Sequence, residues 1–274
     1  MRRRRLRRLT QGVPMIDQLY KCLVYDTIYA QDPVPGRNGL MYMFDSQKVE
    51  FDTTPLVSIR KTAWRCALQE MEWFLSGSVD INQLPPGPKK WWVPWANEEG
   101  HVPNSYGWQF RFAHGVNQIG TVIEQIKEEP YSRRHVITTW DPSTMFDEET
   151  PLANCHGTVI QFFVTAEGTL NMTMYQRSGD LVCGVPHNWI QYWAFLMYVA
   201  HRTKKKVGWF TWMGGAVHVY EEHLELAQKI CRTDLPRATP ELLYVPSSTE
   251  FLAKDFALDG PYEPILCEKA EVII

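Results

Sequence analysis

The stretch from Tyr175 to Tyr192, YQRSGDLVCGVPHNWIQY, constrains this chain more than any other. It leaves an apolar alternation, Asn171-Met172-Thr173-Met174-Tyr175, whose period of two predicts a strand. It is then expected to turn through Arg177-Ser178-Gly179-Asp180 and to enter a helix from Pro186 to His201. Four ligand-type groups fall within this short span. Arg177 and Ser178 set a cation beside a hydroxyl, a pair that suits one phosphate. Asp180 is able to accept a hydrogen bond from a ring N–H. Asn188 carries a donor and an acceptor on one planar amide, enough to read two adjacent positions of a pyrimidine edge. Each residue alone reads as ordinary loop polarity. Together they point to a nucleotide.

The rest of the chain divides into a short tail and one large body. Six arginines lie among the first eight residues, so 1–13 reads as a basic, solvated tail, with an RNA or DNA contact as the sharper alternative. Residues 14–274 are long enough for a single domain with a substantial core. The net charge of -3 includes those six arginines, and without them it stands at -9. An acidic body argues against general nucleic-acid binding. The six cysteines are scattered with no Cys-x-x-Cys pair, and neither a secretory segment nor a run of the ~20 apolar residues that span a bilayer is present. A cytoplasmic setting is the expectation, the host's cytoplasm if the gene is viral. Cysteine and histidine spacing gives no metal-ligand set, and there is no P-loop or Gly-x-Gly-x-x-Gly turn.

Periodicity predicts an amphipathic helix from Pro14 through Leu23, a strand over Leu40 to Phe44, and a long helix from Ser58 to Leu75 closed by Ser76-Gly77. Leu84 to Tyr106 is long, aromatic and proline-rich, a wall more than a linker. A helix over Asn117 to Ile126 and strands at Val136 to Trp140, Val159 to Thr165 and Gly208 to Met213 follow, with His218-Val219-Tyr220 opening a helix through Ile230. Trp64, Leu68, Met71 and Leu75 mark the core stripe of the long helix. Glu70 sits beside it among Leu68, Met71, Trp73 and Phe74, where partial desolvation raises a carboxyl pKa toward general acid–base use. Glu72 is the competing carboxylate. Cys155 lies beside His156 at a polar junction where arginines are able to stabilise a thiolate.

These segments resemble the thymidylate synthase family, from about Gln31 to the C-terminus. The carriers are Gln176-Arg177-Ser178-x-Asp180, Gly184-x-Pro186-x-Asn188, the Glu70 helix, Trp92-x-x-Trp95-Ala96, the Asn104-Tyr106 segment, Arg133-Arg134, Cys155-His156 and His218-x-Tyr220. The resemblance implies a mixed α+β sandwich of sheets with flanking helices, paired back to back as a homodimer. It implies Cys155 as nucleophile, with Glu70, Tyr106, His156 and Asn188 around the reacting ring. Arg37, Arg177, Ser178 and a partner's Arg133 and Arg134 would hold the phosphate. Gln176 would serve substrate binding, and His218 and Tyr220 would meet the sugar. Trp92, Trp95, Asp180 and the terminal Ile274 would face 5,10-methylenetetrahydrofolate, the co-substrate, and no metal is implied. Two departures stand out: Asn154-Cys155-His156-Gly157 replaces Pro-Cys-His-Ala with one residue extra before Gln161, and Ala216-Val217 replaces a polar pair.

The family also includes phage enzymes that hydroxymethylate deoxypyrimidine nucleotides. Glu70-Met71-Glu72-Trp73, Asn104 to Trp108, Pro142-Ser143 with Phe146-Asp147, and Cys155 with Thr158-Val159 are similar to that branch. Asn188, by contrast, suits uracil. The expected reaction is therefore 5-hydroxymethylation of dUMP. The alternatives are methylation of dUMP to dTMP, then dCMP or CMP hydroxymethylation, and distantly a non-catalytic nucleotide- or RNA-binding relative.

Overall fold

The structure is a computed structural model that describes residues 15–30, 32–144 and 154–273. The basic tail 1–13, Phe146, Asp147 and the terminal Ile274 lie outside the described residues. The helices are α1 (Met15–Tyr29), α2 (Trp64–Ser76), α3 (Pro86–Trp92), α4 (Tyr106–Arg111), α5 (Gln118–Glu128), α6 (Gly184–Arg202) and α7 (Leu224–Arg232). The strands are β1 (Val34–Gly36), β2 (Gly39–Phe51), β3 (Val136–Thr138), β4 (Val159–Val164), β5 (Thr169–Asp180), β6 (Lys206–Tyr220), β7 (Leu242–Tyr244) and β8 (Phe256–Leu258).

Six strands form one mixed sheet in the order β1-β2-β6-β5-β4-β3, and β7-β8 make a separate pair. Only β5 and β6 run parallel within the six, and α6 is their crossover, as a parallel pair requires. The inner face of the sheet carries Trp212, Phe210, Phe51, Met172 and Met174, all buried, and α6 lays Trp189 against Trp212 with ring centroids 5.6 Å apart. α2 packs on α6. The α+β class follows directly.

Long-range partners moved several expected boundaries. The helix expected from Ser58 begins only at Trp64, because Ser58 and Ile59 give their N–H groups to Asp17 Oδ1, at 2.8 and 2.6 Å, and Arg60 bridges to Leu266. Gly77 ends α2 in the left-handed region, as expected. The strand at Leu40 runs on to Phe51 against β6, the one at Val136 stops at Thr138, and the aromatic wall contains the short α3.

The largest correction concerns the central pair. Arg177 to Asp180 do not form a turn: they continue β5, Ser178 opposite Ala216 and Asp180 opposite His218. Nor do His218 to Tyr220 open a helix. They end β6, which passes straight through Gly214-Gly215, where a Cβ would strike the Trp212 ring or lie 2.5 Å from the Tyr175 hydroxyl. Flanked by β2 and β5, with Val217 and Val219 turned into the core, this segment has strand partners on both sides.

Candidate active site

Cys155 sits at the mouth of the sheet, between the loop that precedes β4 and the start of α4. Its backbone N–H donates to Tyr106 Oη at 2.8 Å, and its Sγ lies 3.4 Å from the same oxygen. Tyr106 stacks on His156 with centroids 4.1 Å apart, and His156 Nδ1 is 2.9 Å from Tyr192 Oη. Burial takes the imidazole down to about 3, so it is neutral and its nitrogen is engaged inside the protein. Burial also pushes the Cys155 thiol above its ordinary value, while the Tyr106 hydroxyl and the Arg177 charge pull the other way.

Around Cys155, the departures at Asn154 and Gly157 have physical counterparts here. Gly157 has a φ of +56°, and a Cβ would collide with Tyr192 Oη, so alanine does not fit. Asn154 donates through Nδ2 to Thr139 O at 3.1 Å, and its carbonyl accepts Arg177 Nε at 3.1 Å. A bend at 156–158 leads into β4.

Glu70 and Glu72 part company. Two residues along a helix are about 200° apart around its axis, and only Glu70 turns inward. Glu70 Oε1 accepts Trp92 Nε1 at 2.5 Å, and Oε2 accepts Gln191 Nε2. Burial raises its pKa to about 7, those two donors opposing the shift. Glu72 Oε2 instead accepts the N–H of Ala253 at 2.7 Å, beside a cavity of about 440 Å³ lined by Gln69, Trp73 and Leu252 that holds none of the expected site residues.

Gln191 was not among the expected site residues, yet it joins Glu70 to Asn188. Asn188 Nδ2 donates to Gln191 Oε1 at 3.1 Å, and Asn188 Oδ1 accepts Gln176 Nε2 at 2.9 Å. Gln176 Oε1 in turn accepts Trp212 Nε1 at 2.9 Å. The clue in the sequence was one amide inside the apolar run Trp189-Ile190-Gln191-Tyr192-Trp193, three residues from Asn188 on the same helix face.

Just before α6, Asp180 Oδ1 accepts the N–H groups of Val182 and Cys183, at 2.8 and 3.1 Å, which fixes the turn between β5 and the helix. Asp180, Cys183 and His223 bring ligand-type atoms within 4.8 Å of one another, a grouping that spacing did not reveal. His218 is buried with its ring 5.0 Å from Tyr220. Trp91 packs on His187 at 5.2 Å, and His187 Nδ1 lies 2.7 Å from Cys183 O, which ties the aromatic wall to this corner. Trp95 is partly exposed there beside the exposed Val93, while Trp92 faces inward to Glu70. Arg37 is exposed, and its neighbour Asn38 reaches Ile273 O at 3.4 Å, placing the C-terminal segment near the Arg37 turn.

Arg177 is half-buried beside the catalytic candidate, its guanidinium 5.6 Å from the Trp140 ring. Arg133 and Arg134 are exposed at the β3 edge. Among the described residues the sheet's outer face carries exposed apolar side chains: the register sets Val159, Tyr175 and Met213 side by side across three strands, with Phe163 further along β4 61% exposed. Among the described residues no helix is long and apolar enough to cross a membrane.

Comparison with known proteins agrees with this geometry. The family model described as thymidylate synthase matches residues 32–274. The thymidylate synthase of Buchnera aphidicola subsp. Acyrthosiphon pisum (strain APS) is 36% identical over 229 residues, covering 80% of this chain and 84% of that protein.

Proposed function

This chain belongs to the thymidylate synthase family, an enzyme of methylenetetrahydrofolate-dependent one-carbon transfer to C5 of dUMP, and we propose that its product is dTMP. The sequence reading placed hydroxymethylation first. The named relative and the Glu70 environment favour methylation. A hydroxymethylase needs a base that delivers water to the new carbon. Here both Glu70 oxygens are held by protein donors inside a buried pocket, an arrangement that leaves the carboxylate little free acceptor capacity to orient an attacking water. That is the observation that carries the proposal.

The steps assigned to this chain's residues follow from the ring's electronics. C5 of uracil is a poor nucleophile until a group adds at C6. Cys155 supplies that group: its S–H gives up the proton to solvent, and the thiolate, stabilised by the Tyr106 hydroxyl and Arg177, forms the sulfur–carbon bond at C6. Asn188 presents an N–H to O4 as charge develops there and an acceptor to N3–H. Glu70, poised near neutrality, and Tyr106 move the C5 proton. His156 holds its neighbours in place as a neutral ring. Arg37, Arg177 and Ser178 meet the phosphate, with Gln176 beneath the base, and His218 and Tyr220 meet the sugar hydroxyl. Trp95, partly exposed beside the exposed Val93, offers apolar surface to the folate and Asp180 an acceptor, and Ile274 is the tail residue assigned to it. When bound, it supplies the one-carbon unit and the hydride.

The site is completed by a second copy. An exposed row of Val159, Tyr175, Met213 and Phe163 offers a second copy an apolar sheet face to cover, and the exposed Arg133 and Arg134 stand at its edge, placed to reach across. Hydroxymethylation of the same carbon remains the second reading, favoured by Glu70-Met71-Glu72-Trp73 and the Asn104 to Trp108 segment. Mass spectrometry of nucleotides after separate incubation of dUMP, dCMP and CMP with methylenetetrahydrofolate decides between them. A methyl product from dUMP is expected. A hydroxymethyl product overturns the methylation reading, and turnover of cytosine nucleotides alone overturns the choice of base.

A further inference from the structure

Asn188 sits in the middle of a hydrogen-bond relay whose two ends have fixed polarity. At one end is the Trp212 indole, a group that only donates, so Gln176 must turn its carbonyl to it and its amino group to Asn188. At the other end is the Ala67 carbonyl, which only accepts. It takes Gln191 Nε2 at 3.1 Å, and the same amino group also donates to Glu70, so Gln191 must turn its carbonyl to Asn188. Asn188 therefore receives a donor on one side and an acceptor on the other. Reversing its amide would face N–H against N–H and C=O against C=O, in a place where Gln176 and Gln191 are both about fully buried. Every donor in the relay points the same way, from Trp212 toward the Glu70 carboxylate.

We propose that Gln191 is a positioning residue that locks the Asn188 amide in a single orientation and so sets which pyrimidine the enzyme accepts. The proposal rests on the reading that Asn188 meets the base. Uracil and cytosine present opposite donor–acceptor orders at positions 3 and 4, and an asparagine free to turn over would serve both. A locked one serves one. The lock also explains a glutamine in an otherwise apolar stripe of α6: it satisfies Glu70, Asn188 and Ala67 at once.

The experiment measures kcat/KM and equilibrium binding for dUMP and dCMP in the wild type and in four variants. Gln191→Leu removes the lock at nearly constant volume, and the dUMP-to-dCMP preference should fall by about 5- to 150-fold, the range for one mismatched buried polar pair. Gln191→Glu keeps an acceptor for Asn188 but sets a carboxyl against Glu70; the preference should stay within about twofold while the pH profile of kcat is displaced, a split that loss of packing would not produce. Should Gln191→Leu fail to fold, Gln176→Glu probes the lock from its other end. A carboxylate there accepts from both Trp212 and Asn188, favouring the reversed amide, and the preference should again fall. An unchanged preference in Gln191→Leu or Gln176→Glu, with Asn188→Asp altering it, overturns the lock alone. An Asn188→Asp enzyme with unaltered preference sinks the underlying reading of Asn188 instead.

Discussion

The Asn188 end of the candidate site is closed within one chain, and the Arg133–Arg134 end is open. Around Asn188 each buried amide meets a partner of matching polarity, from Trp212 through Gln191 to Glu70. At the β3 edge two adjacent arginines stand exposed beside exposed apolar side chains of the sheet. A buried amide without a partner costs about 1–3 kcal/mol, so the base-reading end has to be complete before substrate arrives. Exposed arginines carry no such penalty and wait for charge to come to them. The difference separates discrimination, which needs rigid pre-arranged polarity, from phosphate affinity, which tolerates late assembly.

The most severe way to test the closed end is Cys155→Ser. Turnover should fall by at least about 10⁴-fold, since an alcohol in this buried setting is a far weaker nucleophile, while nucleotide binding stays measurable. Retained activity would point to another sulfur, Cys183 first. The same variant sharpens the open end. Mixed with Arg134→Glu subunits, themselves inactive, it should regain roughly a quarter of wild-type activity, because half the random dimers carry one intact site of two. No recovery after verified subunit exchange would show that the arginines act within their own chain.

A smaller effect separates the two ends by pH. The buried Glu70 carboxyl has a pKa raised to about 7 from an ordinary 4.5. The folded state therefore binds more protons than the unfolded chain between those values, and stability falls as pH rises through that window. The full penalty, roughly 3 kcal/mol, is present above pH 7. Glu70→Gln should lose this part of the slope, as read by denaturation at pH 5 and pH 8. Its absolute stability is not the measure, because an amide there puts one N–H against a donor. Asp17, raised to about 6, adds a slope of the same sign that both proteins share. An identical pH dependence in the two would show that Glu70 is not the buried acid.

On the open face the expected effect is smaller still. Phe163→Ser should leave single-chain stability within about 0.5 kcal/mol, since the ring is already in water, yet weaken self-association by about tenfold or more through lost apolar contact. Sedimentation at several concentrations reads both states. Association unchanged by Phe163→Ser would move the dimer interface elsewhere.

How much of this was visible in the chain depended on whether the cause was local. Repeating apolar residues placed α5, α6 and the start of α1 within a few positions, though α1 runs on from Leu23 to Tyr29, and Gly77 marked the end of α2. The start of α2 was not visible, because Asp17, some 40 residues earlier, takes the N–H groups of Ser58 and Ile59. Glycine and polar residues at 177–180 and 214–215 imitate turns, and only their pairing across β5 and β6 shows that they are strand. Of the candidate site, Cys155 and Asn188 were named from their chemistry together with the family resemblance. Gln191 acts through what it touches, and glutamine by itself announces nothing.

The smallest effect belongs to Glu72, and it decides which carboxylate the closed end uses. Sequence spacing left Glu70 and Glu72 as rivals on one helix. In the structure Glu72 points away from Cys155 and accepts the Ala253 N–H, fastening the segment before β8 to α2. Its loss should cost about 1.5–3 kcal/mol of stability, the worth of one hydrogen bond to a charged acceptor. Catalysis should be nearly indifferent, so Glu72→Gln, whose amide oxygen still accepts from Ala253, is expected to retain kcat within about twofold and an unshifted pH profile. Glu70→Gln, by contrast, should lower kcat by about 10²-fold or more, the usual range for a lost general acid–base group. Should Glu72→Gln carry the larger loss, the inward carboxylate would be the wrong one, and the relay from Trp212 to Glu70 would be a packing device without a part in proton transfer.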